Sequence, residues 1–179
     1  MKRMQKELYA TFSMDYIGGK NMIDIKIKKL SDTATLPTKA HTTDACFDIY
    51  ADCPDDIFFD WDIKEDVNGI RIEPGRAVAI HTGFATTIPD GYFAAVFPRS
   101  GMGIKRHLRL SNSTGIIDCS YTGEWMVALY NDGNETQVIK HGDRIAQFTI
   151  LPVLDVQFNE VDELDETERG SGGFGSSGR

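Results

Sequence analysis

GIRIEPGRAVAIHTGFATTIPDGYFAAVF, residues 69–97, reads as three strands joined by two tight turns. Residues 69–72, 77–88 and 92–97 are rich in Ile, Val, Phe, Tyr and Thr, the side chains that fit a pleated, half-buried surface. Glu73-Pro74-Gly75 and Pro89-Asp90-Gly91 separate them, with Pro presetting φ and Gly supplying positive φ. Upstream, residues 22–30 alternate: Ile23, Ile25 and Ile27 share one face, and Asp24, Lys26 and Lys28 the other. That is the period of a half-buried strand. Residues 46–51, 124–130, 136–139 and 145–153 are strand-like too, with turn chemistry at Asn131-Asp132-Gly133-Asn134 and His141-Gly142-Asp143. Many short strands at this spacing predict an all-β sandwich or jelly roll. One short helix fits between Gly101 and Leu108. Residues 125–130, WMVALY, are apolar without alternation, which predicts a strand covered on both faces. Another copy of the chain, or a central place in a two-layer sandwich, would each provide that cover.

The 179 residues suit one domain with a short extension, burying roughly 70% of the extended-chain surface. Hydrophobic residues are 41% and charged residues 26%, so a collagen-like, disordered or low-complexity chain is excluded. The longest apolar runs fall far short of the ~18 residues of a bilayer span. Residues 1–20 lack the apolar stretch of a signal peptide. A soluble, intracellular, cytoplasmic protein is expected, with no membrane partner. Twenty-seven acidic against nineteen basic residues give a net charge of −8, which offers nucleic acid no electrostatic footing. A phosphate ligand would need locally placed cations or a divalent metal. Cys46, Cys53 and Cys119 show no C-x-x-C spacing and read as reduced thiols; the four histidines lie too far apart for a zinc site.

Three stretches stand apart from the β domain of residues 22–161. Residues 1–21 read as an appendage. Residues 53–68, CPDDIFFDWDIKEDVN, form an acidic and aromatic insertion. Residues 162–179 form a C-terminal arm, acidic at first and then RGSGGFGSSGR, in which eight of eleven residues are Gly or Ser. Its G-x-G-x-x-G has no following helix to receive a pyrophosphate, so it is not a dinucleotide fold. Either the arm is a solvated tail, or its N–H groups wrap phosphate oxygens. Arg169, suited to bidentate phosphate contact, and Phe174, a lone aromatic able to stack on a planar ring, favour wrapping.

Four further segments carry candidate chemistry. Pro98-Arg99-Ser100-Gly101 offers a cation, a hydroxyl and open backbone. Residues 111–124 carry Asn112, Asp118 and Tyr121 between glycines. There an Asn and strand-edge backbone could read a base, and Asp118 could activate a water or merely cap its turn. Residues 43–48 end on Asp48. In residues 142–147, Asp143 with Arg144 reads as a structural salt bridge or turn, and Gln147 as a ligand-orienting amide.

Taken in order, TDACFDIYA, PRSG, NSTGIIDCSY, GDRIAQ and RGSGGFGSSG resemble the five motifs of the trimeric dUTP diphosphatases (dUTPases), over about residues 22–179. The resemblance implies a Mg2+-dependent hydrolysis of dUTP to dUMP and pyrophosphate. Asp118 would be the base that activates water, and Tyr121 would pack under the deoxyribose. Asn112, with the backbone of Ile116 and Ile117, would read uracil, with Met126 nearby. Arg99, Ser100, Gly101 and Gln147 would contact phosphates, and Asp48 would hold a water of the magnesium ion. Arg169, Phe174, Gly175, Ser176 and Ser177 would close over the nucleotide. A homotrimer would share each site among its subunits. Cys46 departs from the glycine usual in the first motif, and Cys119-Ser120 follows Asp118. Two alternatives remain. One is a dCTP deaminase of the same fold, for which Glu124 is the nearby acid. The other is a nucleotide-gated regulatory binding protein, suggested by Phe58, Phe59 and Trp61.

Overall fold

The computed structural model describes residues 22–54, 69–174 and 176. The appendage of residues 1–21, most of the acidic insertion, Gly175 and Ser177 lie outside them. Among the described residues there are ten strands and one helix: β1 Lys26–Lys29, β2 Phe47–Tyr50, β3 Ile70–Ile72, β4 Ala77–Thr87, β5 Tyr92–Phe97, α1 Ser100–Arg106, β6 Leu108–Leu110, β7 Gly115–Ile117, β8 Glu124–Asn131, β9 Gln137–Ile139 and β10 Arg144–Pro152. Two four-stranded sheets, ordered β1-β4-β8-β6 and β2-β10-β5-β7, carry the fold; β3 and β9 make a small third sheet. Every named pairing is antiparallel. This is an all-β architecture with one short helix, of the jelly-roll-like kind that is one of the two the turn spacing allows. None of the described helices is long and apolar enough to cross a membrane.

The core lies between the two large sheets. Trp125 of β8 packs on Phe84 of β4 at 5.3 Å between ring centroids and meets Phe148 of β10 edge-on at 4.9 Å. Such aromatic pairs add about 0.5–1.5 kcal/mol beyond the area they bury. Buried Asn131 ends β8 and ties three segments together. Its Nδ2 donates to the carbonyls of Ile72 and Glu135, both at 2.8 Å, and its Oδ1 accepts the Gly133 N–H at 2.9 Å.

Two expectations change. In β8, Trp125, Val127, Leu129 and Asn131 point inward while Met126 is 52% exposed, so within one chain the strand is covered on one face only. The letters WMVALY do not alternate, but the outward Met126, Ala128 and Tyr130 are apolar for reasons other than the core. In the first strand only Ile25 packs against the core, Ile27 is 40% exposed, and the ladder shortens to Lys26–Lys29. An edge strand paired on one side only, as β1 is with β4, need not bury a full face.

Candidate active site

β5 is the axis of the site. β7 pairs with it on one side, Ile117 against Ala94 and Gly115 against Val96. β10 pairs on the other, Gln147 against Phe97. Beyond β7 the chain turns at Asp118–Tyr121, closed by the Tyr121 N–H donating to the Asp118 carbonyl at 3.1 Å. Backbone alone closes this turn. The Asp118 carboxylate is exposed and makes no hydrogen bond or ion pair among the described residues, so it is not a cap. With Ile116, Ile117, Tyr121, Glu124 and Met126 it lines an open cleft of about 220 Å³.

The cleft is held by its neighbours. The Tyr121 hydroxyl donates to the Glu124 carbonyl at 2.8 Å. Gly123 permits this, because a Cβ there would stand 2.7 Å from the Tyr121 oxygen. Glu124 Oε1 accepts the N–H groups of Gly83 at 2.9 Å and Thr82 at 3.2 Å, and Oε2 meets His81 Nδ1 at 2.7 Å. Those donors sit where β4 bulges at Gly83, whose φ is +67°. Sequence reading offered Glu124 as the acid of the deaminase alternative; the fold uses it to fasten β8 to β4. Its partners lie 41–43 residues away, beyond the reach of any local pattern.

A second cluster forms where β2, β10 and the start of α1 meet. Asp48, only 8% exposed, accepts from Arg99 Nε at 2.7 Å and from Arg144 Nη1 at 3.1 Å. Arg99 precedes α1, and the first-turn N–H groups of Ser100 and Gly101 have no intrahelical partner. Gln147, the partner of both Asp48 and Phe97 in the sheet, donates from Nε2 to the Pro98 carbonyl at 3.0 Å. Of the two readings of Asp143 with Arg144, salt bridge or turn, the turn is the one made, with the Asp143 N–H donating to the Lys140 carbonyl at 3.0 Å. The Asp143 carboxylate instead receives the Lys140 N–H at 3.0 Å and Arg106 Nη1 at 3.4 Å.

One chain does not unite the two clusters. Ala94 and Phe97 lie three residues apart, ~10 Å along β5. Arg99 continues outward past Phe97, whereas Asp118 continues past Ile117 the opposite way. Exposed Asn112, on the loop before β7, falls between them at the Val96 end. Among the described residues the arm reaches neither. Arg169 folds onto it, Nε donating to the Gly172 carbonyl at 2.9 Å, Ser176 Oγ bonds the same carbonyl at 3.3 Å, and Phe174 is fully exposed.

Two thiols flank the clusters. Burial pushes the Cys46 thiol up, with Lys39 opposing and the Asp48 charge adding. A hydrogen bond to Asp90, with Sγ 3.5 Å from Oδ1, holds the Cys119 thiol above its ordinary range. Among the described residues no three His, Cys, Asp or Glu side chains converge as a metal cage.

The dUTPase family profile matches residues 32–178.

The chain belongs to the dUTPase family.

A deoxyuridine 5'-triphosphate nucleotidohydrolase of Gloeobacter violaceus is 40% identical over 156 residues, covering 87% of this chain and 97% of its own. A dUTPase variant from phage 80alpha, described in terms of both enzymatic activity and SaPI-inducing capacity, superposes with a TM-score of 0.71 at 29% identity, covering 89% of this chain and all of that one. A dUTPase variant from the S. aureus phage phi11, in which a structural Mg(II) ion is described, gives a TM-score of 0.62 at 25% identity, with coverage of 78% and 97%.

Proposed function

We propose that this dUTPase-family chain hydrolyses dUTP to dUMP and pyrophosphate, with Asp118 as the general base. One observation carries the reading: an exposed carboxylate without a hydrogen-bond partner among the described residues lines a cleft beside Tyr121, Ile116 and Ile117. Asp118 takes a proton from water as the water oxygen bonds to the α-phosphorus. The bond from that phosphorus to the oxygen bridging to the β-phosphorus breaks, and pyrophosphate leaves with the bonding pair. Tyr121 packs under the deoxyribose. Asn112 and the Ile116 and Ile117 backbone face uracil, next to Met126. Arg99, the Ser100 and Gly101 backbone and Gln147 take phosphate oxygens, their charge and donors offsetting what develops on the leaving group. Arg169, Phe174, Gly175, Ser176 and Ser177, in the arm of residues 162–179, close the site and exclude water.

The donor set suits a magnesium ion held mainly by phosphate oxygens rather than by a protein cage. Asp48 is the acid in the phosphate cluster, and each of its oxygens keeps a second lone pair for a metal-bound water. When bound, Mg2+ gathers the phosphates and offsets their charge in a protein of net charge −8.

The separation of the clusters along β5 supports a site shared between copies, with the Asp118 cleft of one copy meeting the Arg99 cluster of another; the homotrimer is the assembly that the family resemblance implies. The apolar outward face of β8, with Met126 half exposed, fits a surface that a second copy covers. Glu124 argues against a deaminase, because both its carboxylate oxygens already serve backbone N–H groups and His81. The cytoplasm is the compartment where such an enzyme meets its substrate.

Pyrophosphate and ammonia release from dUTP, dCTP, dTTP and UTP with magnesium tests the reading. Turnover of dUTP alone, with no ammonia, is expected; ammonia from dCTP, or equal turnover of UTP, contradicts it.

A further inference from the structure

We propose that His81 is a positioning residue for sugar recognition: by clamping the Glu124 carboxylate it holds the strand end on which Tyr121 rests. This rests on the dUTP-hydrolysis reading above and assigns a support, outside all five motifs, to its deoxyribose platform. β4 and β8 pair without a break from Ala77 and Tyr130 to His81 and Met126, and the next pair is Ala85 with Glu124. Residues 82–84 therefore stand opposite Trp125 alone, and at this bulge the N–H groups of Thr82 and Gly83 turn to the Glu124 side chain, both donating to Oε1. His81 Nδ1 meets Oε2 at 2.7 Å; a carboxylate offers acceptors only, so Nδ1 is the donor. The two backbone donors leave the carboxylate one free oxygen, and His81 fixes it.

The route from His81 to the ligand is short. The Glu124 carbonyl accepts the Tyr121 hydroxyl at 2.8 Å, so whatever fixes Glu124 fixes the outer end of the tyrosine. Opposed residues of an antiparallel pair share a face, so His81 lies on the same side of the sheet as Met126 and Glu124, which line the cleft. The side chains of His81 and Glu124 are 33% and 24% exposed, and a pair so open to water contributes little to stability. What it sets is geometry. In the reading above Tyr121 packs under the deoxyribose, where a ribose brings a 2′-hydroxyl against the ring. Misplacing such a contact by ~1 Å costs on the order of a hundredfold in rate, so a support two steps from the sugar bears on which sugar fits.

The test uses the full-length protein with dUMP and UMP as probes, which differ only in the 2′-hydroxyl and need no chemistry. Wild type should prefer dUMP, and His81→Ala should shrink the ratio of the two affinities about tenfold, the scale of one charge-assisted hydrogen bond. His81→Asn, whose amide donates from near the place of Nδ1, should recover most of the ratio. With dUTP as substrate, the His81→Ala loss should fall on KM more than on kcat, because backbone alone closes the turn that carries Asp118. An unchanged ratio in His81→Ala overturns the proposal. So does an equal loss for dUMP and UMP, which marks a structural role, and so does a wild type that binds both alike. His81→Asn no better than His81→Ala, or a loss confined to kcat, overturns it too. If His81→Ala does not fold, His81→Phe, which keeps the bulk of the ring without a donor, decides by the same ratio: a reduced ratio supports the proposal and parity with wild type overturns it. A His81-dependent preference for dUMP in a wild type that leaves dUTP intact would sink the hydrolysis reading and leave the sugar platform standing.

Discussion

At the scale of single residues, Asp118 and Glu124 stand six positions apart on one cleft and do opposite work. Asp118 has no partner among the described residues, whereas both carboxylate oxygens of Glu124 are engaged, by Thr82 and Gly83 on one and His81 on the other. Glu124→Ala should therefore cost stability, about 1–3 kcal/mol, by stranding two part-buried N–H groups. Chemical denaturation checks this, and Glu124→Gln, which keeps an acceptor, should lose less and retain pyrophosphate release. Next to the base, Cys119 is kept as a thiol by Asp90, whose carboxylate accepts its S–H and raises its pKa. Removing that acceptor lowers the pKa and raises the thiolate fraction at neutral pH, so Asp90→Ala should speed alkylation of Cys119 by iodoacetamide; an unchanged rate contradicts the assignment. Asp118 was legible in the sequence because its motif is local. The engagement of Glu124 and the turning of Arg144 from Asp143 to Asp48 were not, because both depend on partners more than forty residues away.

Among the elements, β4 and β8 position the cleft, and Gly83 is the point where they must fit. Its φ is +67°, and a Cβ would run into Asp52 Oδ2 and Ala34. Gly83→Ala should lower stability by about 2 kcal/mol or more, read as a falling denaturation midpoint, because strain and overlap add. Trp125→Ala, by contrast, empties the core between the sheets and should cost about 3–5 kcal/mol. The longer strands were readable because their side chains and turn residues repeat the same message along 69–97. β6 and β7, three residues each, are too short for any period to register. β7 was nevertheless inside the segment singled out for chemistry, since Gly115, Ile116 and Ile117 belong to the same motif as Asp118. For β8 the letters WMVALY show two apolar faces, of which a single chain buries one, the face of Trp125, Val127 and Leu129.

For the whole molecule, the Asp118 cleft and the Arg99 cluster lie toward opposite ends of β5, and the proposed site would draw on more than one copy. Sedimentation should find a trimer. Asp118→Asn and Arg99→Ala chains, each inactive alone, should regain activity when co-expressed, to roughly a quarter of wild type for random mixing in a closed assembly. No recovery would mean that each chain builds its own site. The account stands most directly on one measurement, turnover of dUTP by Asp118→Asn alongside its binding of a non-hydrolysable dUTP analogue. Loss of a general base should lower kcat by about 10²–10⁴-fold while analogue affinity stays close to wild type. Undiminished turnover would contradict the assignment of Asp118 as the base.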